Sequence, residues 1–165
     1  MMRVAEAEFA FRLARGLPSR QTPYEMDEVL DAVESLHLAI EIPDSRFEDF
    51  TRVGASQLIA DIACACWVMI GEPAPDWRSL DLSRHRVLAF RNGQPAAEGS
   101  GANVLGDPRR ALTWIANELR THDSALQAAD VVITGTCVPP LAIGGGDHVR
   151  MDFGELGQIE ARFVM

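Results

Sequence analysis

A chain of 165 residues with 47% hydrophobic and 24% charged residues fits one soluble domain with a core of its own. Its net charge of −9 argues against a nucleic-acid partner and against a polybasic membrane contact, since both reward clustered cations. All fifteen basic residues are arginine, so a Schiff-base or general-base lysine cannot come from this polypeptide.

In chain order, Val4–Leu13 alternates loosely and predicts a strand. Thr22-Pro23-Tyr24-Glu25 predicts a helix start, with Thr22 capping, Pro23 at the first position and Glu25 closing a capping box. Met26, Val29, Leu30, Val33 and Leu36 follow at helical spacing. Leu38–Ile42 predicts a short strand stopped by Pro43, and Ser56 to about Cys66 a short helix leading into a strand that ends at Gly71. The run Glu72–Trp77 is a proline-containing loop. Asn92-Gly93 between Val87–Arg91 and Gln94–Glu98 predicts a hairpin with a type I′ turn. Asp107-Pro108 opens a second helix, whose apolar face is Ala111, Leu112, Ile115, Ala116 and Leu119. Val131–Thr134 predicts an apolar strand, Gly144–Asp147 a turn, and 148–164 a closing hairpin around Gly154–Gly157. Two main helices among many short strands indicate an α+β fold, a mainly antiparallel mixed β-sandwich or roll.

Cys64, Cys66 and Cys137 match neither a disulfide framework nor zinc spacing. Glu6 and Glu8 stand where a secretory signal would need an apolar core, and Leu58–Gly71, interrupted by Asp61, is too short to span a bilayer. The expected location is the cytoplasm. No nucleotide-binding glycine motif follows a strand. Histidines 37, 85, 122 and 148 stand in no motif, and Trp67, Trp77 and Trp114 are core or interface candidates.

Three acids stand out. Glu6 and Glu8 are two apart on a predicted strand, so their side chains leave the same face. Glu41 sits between isoleucines, in an apolar context where an unpaired carboxylate is costly. A hard divalent cation taking three oxygen ligands resolves both conflicts. With 24 acids in the chain, spacing alone favours the plainer reading, a solvated strand face.

Val4-Ala5-Glu6-Ala7-Glu8-Phe9-Ala10-Phe11 resembles the E-x-E-x-A-F strand of the 2-keto-4-pentenoate hydratase group within the fumarylacetoacetate hydrolase-like superfamily. Ala39-Ile40-Glu41-Ile42-Pro43-Asp44-Ser45-Arg46 resembles that group's A-I-E-I-x-D-S-R stretch, and Ala60-Asp61-Ile62-Ala63 its A-D-N-A segment. Arg91-Asn92-Gly93, Leu105-Gly106-Asp107-Pro108 and Thr134-Gly135-Thr136 continue the match in order.

The resemblance implies that Glu6, Glu8 and Glu41 hold Mg²⁺ or Mn²⁺. It also implies lyase chemistry on small 2-oxo or 2-hydroxydienoic acids, with the cation stabilising an enolate. Hydrolysis of acylpyruvate-type substrates, decarboxylation of oxo acids, and a non-catalytic metal or oxo-acid-binding domain are the alternatives. Asp61 is the catalytic candidate, and Thr136 and Arg46 are the substrate-binding candidates; Arg46 also has a structural alternative in an ion pair with Asp44. The group's hydratases carry an N-terminal region that supplies a lysine and an acid. The expectation is a single domain over 1–165 without that region, which acts as a homo-oligomer or with a partner chain that provides it. Ile62 and Cys64 replace the group's usual Asn and Ser.

Overall fold

The computed structural model describes residues 2–164. The elements are β1 (Val4–Leu13), α1 (Met26–Leu30), β2 (Val33–Ile42), α2 (Ala55–Ala60), β3 (Trp67–Pro73), β4 (Arg86–Arg91) and β5 (Gln94–Ser100), followed by α3 (Pro108–Thr121), β6 (Val131–Thr136), β7 (Leu141–Ala142), β8 (His148–Asp152) and β9 (Gln158–Arg162). They form two antiparallel sheets. One runs β3-β2-β1-β6, with β7 beside the start of β1, and the other runs β5-β4-β8-β9. The fold is α+β, as its many hairpin signals predict.

Strand β1 lies inside the first sheet, paired with β2 on one side and β6 on the other, and one of its faces is apolar throughout. Ala5, Ala7, Phe9, Phe11 and Leu13 are all buried, as are Leu36, Leu38 and Ile40 of β2. This face packs on the second sheet, where Phe9 meets Phe153 edge to face at 5.2 Å between ring centroids. Phe11 meets Trp77 in the same way at 5.7 Å. Each such buried aromatic stabilises the fold by roughly 1.5–3 kcal/mol relative to leaving it in water. The opposite face of the sheet carries Glu6 and Glu8 from β1 and Glu41 from β2.

Several local signals act as expected. Asn92 and Gly93 both have positive φ, 52° and 78°, which makes the β4–β5 turn type I′. Asp107 accepts from the Arg109 N–H at 2.9 Å, Pro108 opens α3, and Leu112 and Ala116 are buried beneath it. Trp77 is core, whereas Trp67 and Trp114 are largely exposed.

Other expectations need correction. The helix expected through Leu36 stops at Leu30, and Val33 begins a ten-residue strand. The reason is a bulge. Arg12 lies opposite Ser35 but Leu13 opposite Val33, so β2 carries one extra residue there. That extra residue turns Val33 and Leu36, three apart, toward the same core, which mimics helical spacing. Of the three α-helices among the described residues, α3 is the longest, at 14 residues. The α1 cap is Glu25, in a reciprocal capping box with Glu28, not Thr22. Arg20 holds Glu28 at 2.7 Å and the Thr22 carbonyl at 2.9 Å, which keeps Thr22-Pro23 outside the helix. The Ser56–Cys66 helix is shorter than expected, ending at Ala60. Ile62, Ala63 and Cys64 then take left-handed φ values of 56°, 50° and 68°.

Candidate metal centre

Antiparallel pairing assembles the site. Glu6 lies directly opposite Glu41, and Glu8 lies two residues along the same face, opposite Ala39. Carboxylate oxygens of Glu6, Glu8 and Glu41 fall within 4.8 Å of one another. Two come from neighbouring positions of one strand, and the third arrives from 33 residues downstream only through sheet register.

Like charges this close are costly, and burial adds to the cost. Glu8 is 1% exposed. Burial, opposed by a hydrogen bond from Gly135 and reinforced by Glu41 and Glu6, pushes its carboxyl up to about 8. Burial, and then the charge of Glu41, also raises Glu6 above its ordinary value. The Gly135 N–H donates to Glu8 Oε2 at 2.7 Å. Glycine suits that position, since its φ of 109° is strained for any residue with a Cβ. Three hard oxygen donors converging with so little protein compensation fit a hard divalent cation such as Mg²⁺ or Mn²⁺.

The remaining candidates divide. Thr136 lies opposite Glu8 across the β1–β6 pairing, while its hydroxyl donates to the Val138 carbonyl at 2.7 Å. Arg46 and Asp61 meet each other. Arg46 Nη1 donates to Asp61 Oδ1 at 2.6 Å, and Ser45 Oγ donates to Asp61 Oδ2 at 2.6 Å. These two bonds, with the Arg46 N–H, hold the Asp61 carboxyl below its ordinary value. Asp44 is engaged elsewhere, accepting from the Met2 and Ser45 amides at 2.9 Å each. The Arg46 partner is thus Asp61 and not Asp44. The Asp61 bonds, with that from Asp44 N–H to the Cys64 carbonyl, tie the loop after Glu41 to the left-handed turn Ile62–Cys64. Such non-glycine conformations each cost on the order of 1–3 kcal/mol and persist only where surrounding contacts impose them.

Two contributors escaped the sequence reading. Gly135 is legible only as the middle of a Thr-Gly-Thr turn, and Ser45 only as part of the motif around Arg46. Nothing local in either stretch says that its donor reaches a buried acid distant in the chain.

A family model described as fumarylacetoacetate (FAA) hydrolase C-terminal matches residues 3–164. The chain belongs to this family. Among fumarylacetoacetate hydrolase-like relatives, a 2-hydroxyhexa-2,4-dienoate hydratase from Comamonas testosteroni is 33% identical over 160 residues, 97% of this chain and 60% of that protein. A 2-keto-4-pentenoate hydratase from Paraburkholderia xenovorans (strain LB400) is 31% identical over 158 residues, 96% of this chain and 58% of that protein. The structure of 4-oxalocrotonate decarboxylase from Pseudomonas putida G7, complexed with magnesium and adipate, superposes with a TM-score of 0.88 at 25% identity. It covers 98% of this chain and 60% of that one. The chain thus spans about 60% of the length of these fumarylacetoacetate hydrolase-like proteins.

Proposed function

We propose that this chain is the metal-holding part of a divalent-cation-dependent lyase acting on small 2-oxo or 2-hydroxydienoic acids, of the 2-keto-4-pentenoate hydratase type. The convergence of Glu6, Glu8 and Glu41 within 4.8 Å carries the reading, because it places three buried or half-buried carboxylates with no basic side chain among them. These residues hold Mg²⁺ or Mn²⁺. When bound, the cation supplies positive charge for the oxygen on which negative charge develops as a 2-oxo acid interconverts with its enol.

The protein's own part is placement. Gly135 orients Glu8 through its N–H, and Thr136 borders the substrate on the β6 side of the cluster. Asp61 acts as a positioning residue: with both oxygens already engaged by Ser45 and Arg46, it fixes the loop that leaves Glu41. Arg46, whose side chain is 73% exposed even while paired, keeps N–H donors for a substrate carboxylate. A decarboxylase reading is supported by the similarity to 4-oxalocrotonate decarboxylase, and it uses the same cation-stabilised enolate. The hydrolase alternative has no separate observation in its favour.

Turnover in this family type draws on a further region, and this chain has no lysine of its own. We therefore infer that completing the site takes residues from outside these 165, which a second copy, equally free of lysine, does not bring. Strand β3 is the edge of its sheet and exposes Trp67 and Met69 on the face away from the carboxylates. Among the described residues no helix is long and apolar enough to cross a membrane; the cytoplasm is the setting we propose.

The test is a steady-state assay with 2-hydroxy-2,4-dienoates, 4-oxalocrotonate and acylpyruvates, with and without Mn²⁺, on the protein and its Glu6→Ala, Glu8→Ala and Glu41→Ala variants. Metal-dependent consumption of a dienoate, lost in all three variants, supports the lyase. Oxalate binding without any turnover moves the assignment to a non-catalytic oxo-acid-binding domain. Failure of the wild type to bind Mn²⁺ ends it.

A further inference from the structure

The register that gathers the carboxylates also decides what stands beside them. Val68 of β3 lies directly opposite Glu41, and Ile70 lies opposite Ala39, which in turn faces Glu8. Directly opposed residues share a face, so Val68 and Ile70 project on the same side of the sheet as the three glutamates. They are 47% and 39% exposed. An edge strand is ordinarily blunted by charge, yet Trp67-Val68-Met69-Ile70 has none. Exposed aliphatic side chains bordering a polar centre mark a surface that meets something apolar.

The charges on this face sharpen that statement. The four main strands of the sheet carry one arginine, Arg12, four residues from Glu8 and already paired with Glu34 at 2.9 Å. Their histidine, His37, is occupied by Ser35 and the Gly71 carbonyl at 2.8 Å each. A second carboxylate on a ligand tail lying along β3 would meet no free cation of these strands, and Arg46, in the loop after β2, is left for the head carboxylate beside the cation, so the tail charge's desolvation would go uncompensated.

We propose that Val68 and Ile70 form an apolar wall that receives the hydrocarbon chain of the 2-oxo acid and selects uncharged tails over dicarboxylates. This inference rests on the proposed function, because the carboxylates must first hold the cation that binds the acid's head. Each methylene fully removed from water is worth about fourfold in affinity. Three methylenes shielded on one side by this wall therefore give about tenfold.

The test is calorimetric titration of the Mn²⁺-loaded protein with oxalate, pyruvate, 2-oxohexanoate and 2-oxoadipate. The expected order places 2-oxohexanoate about tenfold tighter than pyruvate, with 2-oxoadipate no tighter than pyruvate. Val68→Thr, which keeps the side-chain shape, and Ile70→Thr, one carbon shorter, both at exposed positions, should each remove about half of that gain on a logarithmic scale. Oxalate affinity should stay unchanged, which also reports an intact fold and centre. Val68→Arg should invert the preference toward 2-oxoadipate. If the protein binds no oxalate, the metal reading falls and this inference with it. If oxalate binds but 2-oxohexanoate gains nothing over pyruvate, or the threonine variants keep the whole gain, the wall is refuted while the metal centre stands. Tighter 2-oxoadipate binding by the wild type also refutes it.

Discussion

Replacing Glu8 with glutamine separates what the carboxylate cluster costs the fold from what it does. Burial and neighbouring charge put the Glu8 carboxyl at about 8 in the native state, against 4.5 for an ordinary glutamate. A raised native pKa means that the folded protein holds the proton more tightly than the unfolded chain. Stability from this group is therefore fully present below about pH 4.5 and drains away as pH climbs toward 8. Complete ionisation costs roughly 5 kcal/mol, of which about 3 kcal/mol is felt at pH 7. The Glu8→Gln side chain keeps an oxygen for the Gly135 N–H and offers its amide N–H groups to Glu6 and Glu41, so the shape and the hydrogen bond survive without the charge.

In EDTA at pH 7.5, Glu8→Gln should melt roughly 6–12 °C above the wild type, taking about 3 kcal/mol at 2–4 °C per kcal/mol for a domain of this size. Its melting temperature should also lose most of its decline between pH 5 and 8; Glu6, raised mainly by burial and then by Glu41, supplies the remainder. The assay is thermal denaturation followed by circular dichroism at half-unit pH steps, with and without Mn²⁺. A wild-type melting temperature that does not fall from pH 5 to 8 in EDTA, or a Glu8→Gln variant less stable than wild type at pH 7.5, would refute the reasoning.

Other outcomes follow from the same geometry. Mn²⁺ at 100 times its dissociation constant should stabilise the wild type by about 2.7 kcal/mol, and Glu41→Ala should erase that gain in a thermal-shift titration. Since the cation must displace the Glu8 proton, its affinity measured by calorimetry should rise from pH 6 to 8; an affinity independent of pH contradicts this. Asp61→Asn should lower the melting temperature at neutral pH. The native Asp61 pKa is depressed, so its stabilisation is present above about 3.8 and is lost as pH falls through the native value; the variant should lack that acid-side loss in the same scan. A Cβ at Gly99 would collide with the Cys137 carbonyl oxygen, so Gly99→Ala should cost about 3 kcal/mol in urea denaturation, and a neutral result would deny the close approach.

Much of this protein was readable along the chain. Asn92-Gly93 announces its turn because only certain residues tolerate two successive positive φ angles, and Asp107-Pro108 announces α3 because capping is local chemistry. The two-residue period of a strand puts Glu6 and Glu8 on one face, and the motif around Glu41 carries a resemblance to the same family. The tertiary structure decided what no window of sequence contains. A bulge opposite Arg12 and Leu13 turned helix-spaced apolar residues into strand residues, and Asp61 took Ser45 and Arg46 as partners across a loop. Pairing of β2 with β1 and β3 placed Glu41 between Glu6 and Val68, joining acid to acid on one side and to an aliphatic side chain on the other. Local propensity acts through neighbours a few residues apart, whereas register is fixed only when distant strands settle their hydrogen bonds and shared core together.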